Sequence, residues 1–277
     1  MPNLRPMKRI AAHGVTLAVQ DEGTGPAVLL FHGFPDSSRL WRYQVPALVG
    51  AGLRVIAPDL RGFGESDRPN AVEDYSIGRS VADMTAALDA LGVERAHVVG
   101  HDWGAGLAWA LAAFVPDRVD RLVVMSVGHP NTLRNPSIEQ REKGWYQLLF
   151  QFECVAEALI QRDDWKLFRD MLGDARDRDQ YLADLARPGA LTAGLNWYRA
   201  NARPEQELER AQPFPAVQAP TLGIWSSGDN YLTEEGMLGS GEHVTGPWRY
   251  ERIEGAGHWL QLDAPERVNE LLVEFLR

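Results

Sequence analysis

The chain has 277 residues, 45% hydrophobic and 9% aromatic, with 28 Lys and Arg against 38 Asp and Glu, for a net charge of −10. Such a composition suits a globular protein with a sizeable core, and the acidic balance disfavours nucleic acid, anionic membrane surfaces and strongly anionic substrates as partners. The lone Cys154 permits no internal disulfide and no metal site of its own. Met1 to Ile10 shows no signal peptide, no apolar run approaches a membrane span, and a reducing cytoplasm is the expected compartment.

In chain order, Ala27 to Phe31 reads as a buried strand and Arg54 to Ala57 as a second, closed by Pro58. Ser76 to Leu91 carries Ile77, Val81, Met84, Leu88 and Leu91 at helical spacing, and Gly92 stops it. Ala96 to Val99 is a third strand, Ala105 to Val115 a helix ended by Pro116, and Arg121 to Val127 a fourth strand. Strands alternating with helices predict a mostly parallel sheet covered on both faces. From His129 to Pro213 the apolar spacing turns helical, with many aromatic residues. Strand signals return at Thr221 to Trp225 and Arg249 to Ile253, and Val268 to Leu276 reads as a closing helix. The expected organisation is an α/β core over 1–128 and 214–277, interrupted by a helical cap over 129–213.

Gly100-His101-Asp102-Trp103-Gly104 follows a strand and precedes a helix, the setting of a nucleophile elbow. Such a turn strains its central residue and needs small flanks, which Gly100 and Gly104 supply. With Asp102 at the centre the nucleophile is a carboxylate, already ionised at neutral pH and able to attack a saturated carbon. The plainer reading is an aspartate capping the next helix. His258 lies in the Gly-rich loop Ile253 to Trp259, and Asp229 follows a strand end in Ser226-Ser227-Gly228-Asp229. Taken singly they read as a loop histidine and a turn aspartate. The order Asp102, Asp229, His258 matches the α/β-hydrolase order of nucleophile, acid and histidine. Asp229 is therefore expected to orient His258, with Glu254 as a weaker rival.

His32-Gly33-Phe34-Pro35 follows the first buried strand, and Pro35 allows a cis bond there. An oxyanion hole needs two convergent backbone N–H groups; those of Phe34 and Trp103 are the candidates. The plainer alternative is a strand-ending turn. Gly62-Phe63-Gly64-Glu65-Ser66 reads as structural packing, since no phosphate-binding lysine follows.

On these motifs, from about Gly14 to the C-terminus, the sequence resembles the epoxide hydrolases of the α/β-hydrolase superfamily. Haloalkane dehalogenases share the elbow and the Trp that follows it. The insertion separates the two: Trp145 to Gln151 resembles the context of the first cap tyrosine of epoxide hydrolases, and Leu195 to Arg199 that of the second. The resemblance puts those roles on Tyr146 and Tyr198. Val155-Ala156-Glu157 continues the first match, whereas Glu153-Cys154 departs from the Pro-Gly common there.

Epoxide opening expels a strongly basic alkoxide, so a protonated phenol beside it is useful; a halide needs only N–H donors. Trp103 suits either a pocket wall or a halide clamp, and both tyrosines also suit an aromatic core. The resemblance implies a hydroxyalkyl ester on Asp102, hydrolysed by water that His258 activates, to give a vicinal diol. Phe34, Trp103 and Trp197 are expected to wall a pocket for an apolar or aromatic epoxide. No cofactor or metal is expected, and a homo-oligomer is compatible with the sequence. The competing readings are a haloalkane dehalogenase and a non-catalytic receptor for a small apolar ligand.

Overall fold

The computed structural model describes residues 7–209 and 212–277. Residues 1–6 of the basic N-terminal stretch, and 210 and 211 within the expected insertion, lie outside the described residues. Eight strands form one sheet: β1 (Lys8–Ala11), β2 (Thr16–Glu22), β3 (Ala27–Phe31), β4 (Arg54–Pro58), β5 (Ala96–His101), β6 (Val119–Met125), β7 (Thr221–Ser226) and β8 (Trp248–Ile253). Their order across the sheet is β1-β2-β4-β3-β5-β6-β7-β8. From β4 to β8 all neighbours run parallel. β3 and β5 are buried at every position, as parallel strands covered on both faces should be.

Sequence patterning assigns no strand before Ala27, yet β1 and β2 pair antiparallel at that edge, and β2 joins β4. Both escape pattern reading for a physical reason. β1 is four residues long, and β2 passes from an apolar half into Gln20-Asp21-Glu22, with neither an unbroken apolar run nor strict alternation. β6 ends at Met125 rather than Val127, because Ser126 takes φ 67° and the N–H of Val127 turns back onto the carbonyl of Met125 at 2.9 Å.

Three helices of the first part are α1 (Gln44–Gly50), α2 (Ile77–Ala90) and α3 (Trp103–Phe114). α3 is apolar nearly all round and packs on β3, β5 and β6, which holds its first turn at the sheet centre. Between β6 and β7 lie α4 (Ile138–Lys143), α5 (Tyr146–Phe150), α6 (Val155–Leu172), α7 (Arg178–Leu185), α8 (Ala190–Asn201) and α9 (Pro204–Glu209). α6 is broken where Arg162 is extended and Asp163, Asp164 and Trp165 take φ of 53°, 54° and 61°. Helices α10 (Glu234–Gly239), α11 (Leu260–Asp263) and α12 (Pro265–Leu276) complete the chain.

The inserted helices are tied to the sheet side by polar bonds. Asp177 receives Arg42 through two bonds of 2.7 and 3.0 Å, and the indole N–H of Trp197 donates to the carbonyl of Arg61 at 3.1 Å. Asn201 takes the N–H of Ile77 at 2.9 Å and donates to the carbonyl of Tyr75 at 2.9 Å. Among the described residues no helix is long and apolar enough to cross a membrane.

Candidate active site

Asp102 stands between β5 and α3 with φ 53° and ψ −124°, a backbone state that L residues adopt only under constraint. The constraint comes from its flanks. A Cβ on Gly100 would overlap the carbonyl of Gly104, and one on Gly104 would overlap that of Phe31. The side chain of Asp102 does not bond the N–H groups at the second and third positions of α3, as a capping aspartate would. Instead its Oδ1 accepts the backbone N–H of Phe34 at 2.8 Å, and the N–H of Trp103 also favours its charged form. The two N–H groups singled out as an oxyanion hole thus meet at this carboxylate. The peptide bond between Phe34 and Pro35 is cis. Burial raises the Asp102 carboxyl above its usual range, against the lowering influence of His258 and the two N–H donors.

His258 reaches the same place from the loop after β8. Its Nδ1 lies 2.9 Å from Oδ2 of Asp229, and its Nε2 lies 3.8 Å from Oδ2 of Asp102. Oδ1 of Asp229 accepts the N–H groups of Tyr231 and Leu232 at 2.8 and 3.0 Å. Burial opposes the charge on Asp229, but His258 and those N–H donors outweigh it and hold the carboxyl below its usual range. An ionised carboxylate only accepts, so the proton sits on Nδ1 and Nε2 is left facing Asp102. Burial by itself depresses His258; Asp229 and then Asp102 overcome it, and the net shift is upward. The loop is pinned by His101, whose Nε2 meets the carbonyl of His258 at 2.9 Å, and by Ser226, whose hydroxyl donates to the carbonyl of Gly257 at 2.7 Å.

Asp102 and His258 line one cavity together. Tyr146 at the start of α5 and Tyr198 on α8 line it too, with ring centroids 5.9 Å apart. Both are buried, and burial pushes both phenols above their usual range, so each is protonated and able to donate. Phe34, Phe150, Phe168 and Leu172 supply apolar walls. A buried carboxyl group, a histidine–aspartate pair facing it and two phenols over the same apolar space are a set chemically suited to ester formation, ester hydrolysis and alkoxide protonation.

The family model for the alpha/beta hydrolase fold matches residues 26–265. Epoxide hydrolase A of Mycobacterium tuberculosis is 36% identical over 98% of this chain and 97% of its own length. Epoxide hydrolase 3 of Xenopus tropicalis is 35% identical over 91% of this chain and 71% of its own. Among solved structures, epoxide hydrolase A of Mycobacterium thermoresistibile superposes with a TM-score of 0.83 at 33% identity, covering 98% of each chain. This chain belongs to the α/β-hydrolase family, among its epoxide hydrolases.

Not every expected pocket residue of this hydrolase lines the cavity. Phe34 does; Trp103 and Trp197 do not. Both indoles stand behind Tyr198: Trp103 packs edge-on against its ring at 5.0 Å, and Trp197 lies 6.0 Å from Trp103 with its N–H spent on Arg61. Adjacency in sequence misleads here, because neighbours on a helix point about 100° apart. Glu254 is exposed and pairs with Arg252 at 2.9 Å, away from His258. The Gly62 to Ser66 loop is held by Asp59, whose carboxylate accepts the N–H of Glu65 at 2.8 Å and whose carbonyl accepts the Ser66 hydroxyl at 2.6 Å.

Other lining residues carried no sequence signal of their own. Tyr231 and Trp259 each lie close in sequence to a site residue, and Tyr231, Met171 and Tyr146 line both the cavity and a wider surface cleft. Trp259 donates its indole N–H to Oδ2 of Asp36 at 2.8 Å. Asp36 follows the cis-Pro35 and is buried beside Tyr181 of α7; burial pushes its carboxyl up to about 8.

Proposed function

We propose that this hydrolase converts an apolar or aromatic epoxide to a vicinal diol through a covalent ester on Asp102. Tyr146 and Tyr198 hold the epoxide oxygen while Asp102 attacks a ring carbon; the C–O bond breaks and a phenol delivers the proton to the departing oxygen. His258, oriented by Asp229, then takes a proton from water, which attacks the carbonyl carbon of the ester. The resulting oxyanion sits against the N–H groups of Phe34 and Trp103 until it collapses, breaking the bond between the carboxyl carbon and the substrate oxygen. The proton held by His258 and water between them restore the diol hydroxyl and the phenol, and Asp102 is left a carboxylate. The helical insertion over 129–213 acts in this reading as a cap that carries the two proton donors.

The observation that carries the proposal is the pairing of Asp102 and the two phenols on one apolar-walled cavity. An oxygen leaving group needs a proton; a halide does not. Trp103, the candidate halide donor, lies outside that cavity.

His258→Gln tests it. Attack by Asp102 needs no base, so the ester should form and then persist. Intact-protein mass spectrometry after incubation with a styrene-type epoxide should show the full epoxide mass added, on the peptide holding Asp102. With a 1-haloalkane only the alkyl fragment would be gained, and its exclusive appearance would favour dehalogenation. An adduct on another residue would overturn the mechanism. Reversible binding of both compounds, with no adduct, would favour the receptor.

A further inference from the structure

Arg199 follows Tyr198 on α8 but points the other way, into the seam between α8, α5 and α6, and it is 3% exposed. Its guanidinium makes a fork with Glu157 of α6, Nη1 to Oε1 at 2.8 Å and Nη2 to Oε2 at 2.9 Å. Nη1 also meets Oδ1 of Asn196 at 3.1 Å. The remaining donor, Nε, reaches the carbonyl of Phe150 at 2.8 Å. Phe150 is the last residue of α5, and Tyr146 is the first.

A five-residue helix cannot hold its own direction, because so short a segment lacks cooperative backbone bonding. The aim of Tyr146 is therefore set by what grips α5 from outside. Arg199 grips its C-terminal carbonyl from the helix that carries Tyr198, and Glu157 fixes the fork so that the Nε vector cannot swing. The amide of Gln151 adds a weaker tie, to the carbonyl of Tyr198 at 3.4 Å. The charge pair is consistent with this rigidity: although burial opposes it, Arg199 holds the Glu157 carboxyl below its usual range.

We propose that Arg199, locked by Glu157, is a positioning residue that fixes the separation and aim of the Tyr146 and Tyr198 hydroxyls, and so governs ester formation and not ester hydrolysis. The inference rests on the epoxide-hydrolase reading above.

The test separates the two chemical steps. Removing Arg199 alone would strand a partly buried carboxylate, so the informative variant is Arg199→Met with Glu157→Met, since replacing both members of a buried pair by apolar residues of similar volume is often tolerated. Rapid-quench measurement should show ester formation slowed about tenfold or more, as small misplacements of reacting groups are costly. Hydrolysis of the preformed ester should stay within about twofold of the parent. The loss should shrink for an epoxide bearing a trifluoromethyl group beside the ring, whose departing alkoxide is a weaker base and leans less on the phenols. Arg199→Lys, which keeps the charge opposite Glu157 but loses the fork, should show the same pattern more weakly and serves if the double variant does not fold. Parent-like ester formation in a folded variant would overturn the proposal. So would equal slowing of both steps, or a loss indifferent to alkoxide basicity. Failure of the parent protein to form any ester from an epoxide would instead sink the underlying reading.

Discussion

Nε2 of His258 lies 3.8 Å from Oδ2 of Asp102, beyond direct hydrogen-bonding reach yet close enough for both to touch one water molecule. As a free anion Asp102 favours the protonated imidazole; in the proposed mechanism, once esterified, it no longer does. The same contact that favours imidazolium in the resting protein is thus removed when a base is needed. Asp229 remains, and Asp229→Asn should take away the largest of the influences that raise His258, leaving only the smaller one of Asp36. The acid limb of the ester-hydrolysis rate should then move to lower pH, while the plateau falls about 100-fold or more through lost orientation. Single-turnover decay of the ester from pH 5 to 9 reads both effects. An acid limb that stays put or moves upward would contradict the assignment.

Tyr146→Phe or Tyr198→Phe should each slow ester formation, by about tenfold to 100-fold, and the double replacement should nearly stop it. The rings stay in place, so an apolar competitive inhibitor should bind as before. Stopped-flow fluorescence on substrate mixing separates these outcomes. A double variant with unaltered epoxide turnover would remove the role assigned to the phenols.

Gly33 has no side chain where one would collide with Asp102: a Cβ there would overlap its Oδ1 and Cβ. Gly33→Ala should therefore push the carboxylate off the N–H of Phe34 and cut ester formation by about 100-fold. Because Cβ of Asp102 cannot rotate out of the way, the loop backbone must shift too, and the melting temperature should fall alongside the rate. Full activity in Gly33→Ala would mean that the carboxylate position is not set as described.

Asp36 gives a stability prediction with a defined sign. Its folded value, about 8, lies above the ordinary carboxylate value. A group shifted upward in this way contributes most below its unfolded value, near ~4, and that contribution is lost as pH rises through the folded value. Asp36→Asn keeps an oxygen for the indole of Trp259 but cannot ionise. The melting temperature of the variant relative to the parent should therefore climb between pH 5 and pH 9, by about 3 °C or more. Parallel melting curves across that range would contradict a buried, neutral Asp36.

The parts of the chain that were legible are those where one local rule decides the outcome. Ala27–Phe31 is an unbroken apolar run and forms the strand it predicts, and Gly100 to Gly104 pack as tightly as a nucleophile elbow demands. Phe168, Met171 and Leu172 were not legible as cavity walls, because their place depends on the break in α6 at Arg162 to Trp165. No proline or glycine marks that break; it is made by two aspartates and a tryptophan in left-handed conformation. Trp103 and Trp197 failed as walls for the opposite reason, since their composition suits a pocket and only packing shows them turned behind Tyr198.

Asp102, His258 and Asp229 come from loops at the sheet, whereas Tyr146 and Tyr198 come from helices inserted between β6 and β7. The cut between them falls along the reaction coordinate. In the proposed mechanism one piece of chain makes and breaks the ester, and the other decides which atom is allowed to depart. The two could therefore diverge at different tempos. A lineage that rebuilt only the inserted helices would inherit a working esterification engine and acquire a new leaving group without disturbing it.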